Sequence, residues 1–307
     1  MHYLQILLLA LLLTACGKPE KPPVDGHPDS ELSAKRDLYG SLLPSVSDAH
    51  GFIETDKCDS LIVSSLLGAL GLPVTVEAAE LEPGRWLRRP TSYPECYASG
   101  GSRSTISRDM LLGVMWWAWR AKRLDVAQDL WSYGTSRDWF MGEGRMGGTD
   151  TWFVPLVPLL ARLIHALGGE SHEARLFPIA SEKNRHTGFA AHLQVLQLLL
   201  DGELSGGLSE DAVRSLKWQY ERQPRNPLFS AAYYRFSGDE GAREASTSAL
   251  KDERLFPANR LPTSADRCDG WIIERDEDDE DWAPCGEGRT HSGGDFLLSE
   301  AVLSGRI

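Results

Sequence analysis

The feature that most limits how this chain can fold is an alternation of two kinds of helix-length segment. Residues 107–121, SRDMLLGVMWWAWRA, are apolar almost all the way round, so a helix there has no face for water and must be covered on every side. Residues 124–138, LDVAQDLWSYGTSRD, instead gather Ala127, Leu130, Trp131 and Gly134 on one stripe, with Asp125, Gln128, Asp129 and Ser132 off it, the pattern of a surface helix. The pairing recurs. Residues 187–200 are largely apolar and precede 209–222, striped by Ala212, Val213, Leu216 and Tyr220; the aromatic-rich 227–237 precede 241–251, striped by Ala242, Ala245 and Ala249. The apolar segments 57–70, 151–167 and 293–304 bring the inner kind to six. Alternating strand patterns are scarce, so the expected class is all-α. Six inner helices, each returned by an outer one, predict an (α/α)6-type toroid, incomplete because the outer partners after 57–70 and 151–167 are short or missing. A two-layer solenoid shares the alternation, but it requires a repeat of fixed length, which this chain lacks.

The N-terminus predicts where the protein sits. Residues 3–13, YLQILLLALLL, form an apolar run too short to cross a bilayer as a helix but of the right length for the core of a signal peptide. The run leads into Leu13-Thr14-Ala15-Cys16-Gly17, which resembles the lipobox of bacterial lipoproteins. The segment before the apolar run departs from that pattern in having no Lys or Arg. The resemblance implies that residues 1–15 are removed and that Cys16 is lipidated and becomes the new N-terminus. Gly17 rather than Asp after the Cys implies the outer membrane, with the protein facing the periplasm or the cell surface. Residues 16–31 then form a tether, since 17–31 (GKPEKPPVDGHPDSE) hold four Pro and almost no large apolar side chain. Residues 32–307 form a single helical domain, long enough to bury a sizeable core.

Four further cysteines, Cys58, Cys96, Cys268 and Cys285, allow three pairings in an oxidising compartment. Nearest-neighbour pairing, Cys58 with Cys96 and Cys268 with Cys285, is the simplest. No C-x-x-C pair occurs and no His sits at ligand spacing from these residues, so zinc is the weaker reading and no metal is expected. No cofactor is expected either, because nucleotide fingerprints, G-x-S-x-G and H-E-x-x-H are all missing from the sequence. The acidic run at 274–281 lacks the glycine of an EF-hand loop and reads as a solvated loop. With 32 basic against 44 acidic residues and a net charge of −12, nucleic acid is excluded as a partner. The sequence leaves the oligomeric state open.

Parallel inner helices open their N-termini onto one mouth. The residues at those starts are Asp56 and Asp59; Ser107, Arg108 and Asp109; Asp150; Arg185 and His186; Arg225 and Asn226; and His291 and Asp295. For each Ser, Asp or Asn alone, capping is the simpler reading. Capping does not account for Arg and His at the same ends, where the helix dipole disfavours positive charge. The stretch from Trp139 to Asp150, with Glu143 and Arg145 between, reads as a Gly-rich loop entering the third inner helix. Trp139 and Trp152 flank it as candidate walls for a sugar ring.

The Ser107-Arg108-Asp109 start, the Trp-rich helix behind it and His291-Ser-Gly-Gly-Asp295 resemble the mouth of the helical-toroid carbohydrate-active proteins. The resemblance is architectural and covers residues 50–305. It implies a polysaccharide or peptidoglycan substrate, a glycoside hydrolase or polysaccharide lyase activity, and catalytic roles for Asp109, Asp295, Glu143, Arg108 and His291. Substrate contacts would come from Trp139, Trp152, Asp59, Asp150 and Arg145. The alternative is a non-catalytic lipoprotein whose helical scaffold binds a glycan or a protein. The lipobox has a direct test: a fatty-acid analogue should label the wild-type protein and fail to label Cys16→Ser, and unlabelled mature protein cleaved at another bond would refute the assignment.

Overall fold

The computed structural model describes residues 29–54, 59–90, 105–143, 149–179, 186–187, 189–263, 266 and 290–307, without the side chains of 143, 149–152 and 189. The cysteines, Arg145 and the tether up to residue 28 lie outside the described residues. The fold is mostly helical. Its helices are α1 (Ser30–Leu42), α2 (Ser60–Ala69), α3 (Arg108–Ala121), α4 (Leu124–Ser136), α5 (Val157–Ala166), α6 (Phe189–Ser205), α7 (Glu210–Arg222), α8 (Pro227–Ser237), α9 (Glu240–Lys251) and α10 (Gly294–Leu303). None of the described helices is long and apolar enough to cross a membrane.

Helix ends follow local chemistry. The Asp29 carboxylate accepts from the Glu31 and Leu32 amides, Ser209 accepts from Ala212, Asn226 accepts from Leu228 and Phe229 ahead of Pro227, and Asp239 accepts from Ala242. These are N-caps that satisfy otherwise unpaired amides. At the other end, α8 stops on Gly238 at φ 71°, a left-handed C-terminal position that glycine adopts without strain.

The two expected kinds of helix are present. α2, α3, α8 and α10 bury most of their residues, whereas α4 buries only Val126, Ala127, Leu130 and Gly134. On α9 the buried stripe is Ala242, Ser246 and Leu250, rotated from the alanine stripe expected at 242, 245 and 249. The Ser246 hydroxyl donates to the Pro227 carbonyl at 2.9 Å, which satisfies the buried oxygen and makes Ser246 an inward residue.

Named contacts fix the helix directions. A Cβ on Gly113 would lie 3.1 Å from Ile62 Cα, and one on Gly68 would lie 3.1 Å from the Trp117 ring, so α2 and α3 advance together. Trp116 Nε1 donates to the Leu196 carbonyl at 3.1 Å, halfway along both α3 and α6. Near their C-termini, Gly202 of α6 meets the Phe236 ring of α8, and Arg235 pairs with Glu203. The C-terminal ends of α3 and α10 meet where Arg120 donates to the Arg306 carbonyl at 2.9 Å. These helices therefore run parallel. The second kind runs against them: Gln219, late in α7, bonds Gln194, early in α6, at 2.7 Å, and Ser246, just past the middle of α9, bonds the first residue of α8, which a two-residue turn joins to α9. α1 is also antiparallel to α10, with Tyr39 packed on Gly293 and Phe296, and Arg36 3.7 Å from Glu300.

Two small antiparallel hairpins interrupt the helices: β1 (Glu80–Glu82) with β2 (Arg85–Trp86), and β3 (Phe140–Glu143) with β4 (Thr149–Trp152). The second occupies the segment expected as a loop. Its register pairs Phe140 with Trp152, Gly142 with Asp150 and Glu143 with Thr149. Aromatic and β-branched residues favour this pairing, and the glycines between them mask it in the sequence.

α1 is held by an uncommon residue. Lys35 is almost fully buried, and its Nζ donates to the Leu250 and Phe256 carbonyls at 3.2 and 2.7 Å and to Glu253 at 3.0 Å. Lys35→Met would leave two buried acceptors unmade, at about 1–3 kcal/mol each. We expect it to lower the urea-unfolding free energy by about 3 kcal/mol. Glu253→Gln, on the exposed partner, should cost under about 1 kcal/mol.

Candidate functional site

Parallel packing of α2, α3 and α6 brings their N-terminal ends together, and a cleft of about 330 Å³ opens there, lined by Asp59, Arg88, Ser107, Arg108, Asp109, Ala190, His192 and Leu193. Arg88 is placed by the backbone: its amide donates to the Thr105 carbonyl at 3.0 Å, and its carbonyl accepts from the Leu61 amide at 3.1 Å. Its guanidinium, about one-tenth exposed, lies 3.5 Å from the Asp59 carboxylate and 3.8 Å from Met110 Sδ.

The residues that look like caps here do not cap. Neither Asp59 before α2 nor Ser107 before α3 accepts a side-chain hydrogen bond from its helix amides. The Ser107 hydroxyl is buried and has no partner among the described residues. Asp109, in the first turn of α3, is only 9 % exposed and forms no ion pair or hydrogen bond there among the described residues. Arg108, beside it, is exposed and also lacks such a partner among them. Since Asp29, Ser209, Asn226 and Asp239 all cap as their residue types predict, the difference is local to the cleft.

His186, half-buried between α5 and α6 in the chain, senses this charge. Burial and then the nearby Arg108 guanidinium hold its imidazole below the ordinary value of 6.5. Its amide donates to Gln194 Oε1 at 3.4 Å, and its carbonyl accepts from Gln219 Nε2 at 2.8 Å. Behind these lie Gln223, with both amide atoms buried and unpartnered among the described residues, and the similarly unpartnered Asn226 Nδ2.

The cleft unites Asp59, Arg108 and Asp109 of the residues expected at a mouth. It adds Arg88 and His192, which the sequence reading missed. Arg88 stands in a stretch with no periodicity. His192 stands near the start of a largely apolar helix, a visible signal that reads equally well as a core histidine. His291 and Asp295 are fully buried and do not line this cleft. The His291 amide donates to the Pro262 carbonyl at 2.8 Å, and Asp295 accepts from the Phe296 amide at 2.9 Å. Trp139 packs elsewhere, edge-on to Trp131 at 5.1 Å and stacked near Phe153 at 6.3 Å. Gly134 lies under its ring, where a Cβ would come within 2.4 Å. Glu143, Asp150 and Trp152 are described only as backbone positions in the second hairpin, and Arg145 lies outside the described residues. Among the described residues no group of three or more His, Cys, Asp or Glu side chains gathers as for a metal ion.

No family model, no curated protein and no solved structure matches this chain.

The field at His186 is measurable. Because its folded pKa lies below the unfolded value, the unfolded state binds more protons just below pH 6.5, and the stability contributed by the neutral imidazole is lost as pH falls through the folded value. Arg108→Gln should move the NMR titration of His186 back towards 6.5. An unchanged titration would assign the whole depression to burial.

Proposed function

We propose that this chain is a lipid-anchored protein of the bacterial envelope that acts on a glycan with carboxylates at the mouth of an incomplete (α/α)6 toroid. Support for the architecture comes from the direction of the helices. α2, α3, α6, α8 and α10 run parallel, while α1, α7 and α9 return against their neighbours. Contacts of α2 with α3, α3 with α5, α5 with α6, α6 with α8, α8 with α10 and α10 with α2 would close one inner ring. The anchor rests on the lipobox at Cys16, and the outer-membrane location on Gly17.

The observation that carries the activity is the convergence of Asp59 and Asp109 with Arg88, Arg108 and His192 in one cleft, at helix starts that Asp59 and Ser107 leave uncapped. Two carboxylates in one cleft are the minimum for glycoside hydrolysis: one protonates the leaving oxygen while the other activates water or attacks the anomeric carbon. Arg88, 3.5 Å from Asp59, stabilises the charged form of that carboxylate, which suits the base or nucleophile. Asp109, largely buried and beside no ion-pair partner among the described residues, suits the acid. In the hydrolytic cycle Asp109 gives its proton to the glycosidic oxygen, the hydroxide part of water ends on the anomeric carbon, and the remaining proton passes to Asp59.

The test is turnover by the full chain in detergent on polysaccharides and peptidoglycan, read by new reducing ends and by the ultraviolet absorbance of unsaturated products. Asp109→Asn should lower kcat by at least about 100-fold, as loss of a general acid or base does, with the melting temperature nearly unchanged. Were Asp109 only a helix-end charge, the variant would lose about 1 kcal/mol of stability and keep its turnover. Glycan binding without turnover in the wild type would replace this reading by a non-catalytic binding protein.

A further inference from the structure

We propose that the cleft recognises a carboxylate-bearing sugar and that Arg108 is the residue that holds the sugar's carboxylate. This rests on the reading of the cleft as a glycan site and adds the chemical class of the glycan.

The charge balance of the lining gives the sign. Arg88 sets its charge against Asp59. That leaves the Asp109 carboxylate against the Arg108 guanidinium, together with the N-terminal ends of α2, α3 and α6, each of which carries partial positive charge. Neither Asp59 nor Ser107 neutralises those ends by capping. The remainder is positive; burial first, and then the Arg108 guanidinium, hold the His186 imidazole below its ordinary value. Arg108 stands where the dipole of its own helix opposes it, exposed and with no ion pair among the described residues. A ligand anion would reverse that penalty.

Chemistry narrows the anion further. A guanidinium presents paired N–H donors in a plane that matches a carboxylate in bidentate fashion. Next to it the Ser107 hydroxyl is a buried donor with no partner among the described residues, within the same lining. A neutral sugar would leave Arg108 unpaired and partly desolvated, which costs free energy. A sugar carboxylate satisfies the paired Arg108 donors. Uronic acids carry such a group, as does the lactyl-ether sugar of peptidoglycan strands freed of their peptides.

Matched polymer pairs separate the outcomes. Full-length protein in detergent is titrated with polygalacturonate and its methyl ester, with alginate and its ester, and with peptide-free peptidoglycan strands before and after carboxyl reduction. At least one acidic member should bind about tenfold more tightly than its neutral partner, as expected for a charge-assisted bidentate contact, and the preference should shrink with added salt. The pair that shows the preference identifies the source of the carboxylate. Arg108→Gln should bring both members of that pair to the same affinity, and Arg108→Lys should restore part of the difference, with the melting temperature checking that each variant folds. Equal affinity within every pair, or a preference that survives Arg108→Gln, overturns the proposal. Turnover of a neutral glycan with no acid preference would sink this inference alone, whereas no turnover of any glycan would sink the enzymatic reading.

Discussion

The close approach of α2 to α3 is the contact on which the site depends. Gly113 lets the α3 backbone come down onto Ile62 and Ser65, and Gly68 makes room for the Trp117 ring. A glycine inside a helix costs about 1 kcal/mol relative to alanine, and here the cost is offset by buried packing along both helices. The consequence is register. Two parallel helices locked at Gly113 and Gly68 bring Asp59 level with Ser107, Arg108 and Asp109, and the 80–88 hairpin segment delivers Arg88 between them. A bulkier residue at 113 would separate the helices and pull the carboxylates apart before touching any of them.

Around that contact, polar residues divide into those used by the fold and those it leaves over. Lys35 spends its donors on two carbonyls and Glu253. Burial pushes the Glu300 carboxyl up, against the opposing pull of Arg306 and Arg36, and that cluster fastens α10 to α1. Arg162 pairs with Asp201 and donates to the Arg175 and Phe177 carbonyls at 3.0 and 2.8 Å. Each of these is a structural use. Asp109, Arg108 and the Ser107 hydroxyl have no such use among the described residues, although all three sit on one turn of one helix. Of the two charged groups only Asp109 is packed, and a packed carboxylate without a partner among the described residues costs stability.

Sequence periodicity revealed the all-α class and the division into buried and amphipathic helices, because an all-round apolar segment such as 107–121 has few other ways to exist in water. It placed Asp59, Arg108 and Asp109 at helix starts, and these three line one cleft because parallel helices share an end. It did not reveal α1, whose inward residues are Leu32, Lys35 and Tyr39, because a buried lysine reads as a solvent position. The β3–β4 hairpin was hidden by glycines, and Arg88 by its irregular surroundings. The site residues that were missed are those placed by tertiary backbone bonds rather than by the period of a helix.

His291 and Asp295 stand at the start of α10 and are fully buried, with Gly293 holding φ at 67° beneath Tyr39. Tyr39 donates its hydroxyl to the Pro257 carbonyl at 2.9 Å, so the start of α10 is shut by α1 and by the segment after α9. The start of α3 has no such cover among the described residues. Both helices begin with chemically similar sets, His-Ser-Gly-Gly-Asp and Ser-Arg-Asp, yet one is sealed by α1 and the other opens onto a cleft. Residue type at a helix start therefore does not decide whether it is buried or opens onto a cleft. What covers that end of the helix decides it, and here the covering element is α1, the helix that periodicity did not reveal.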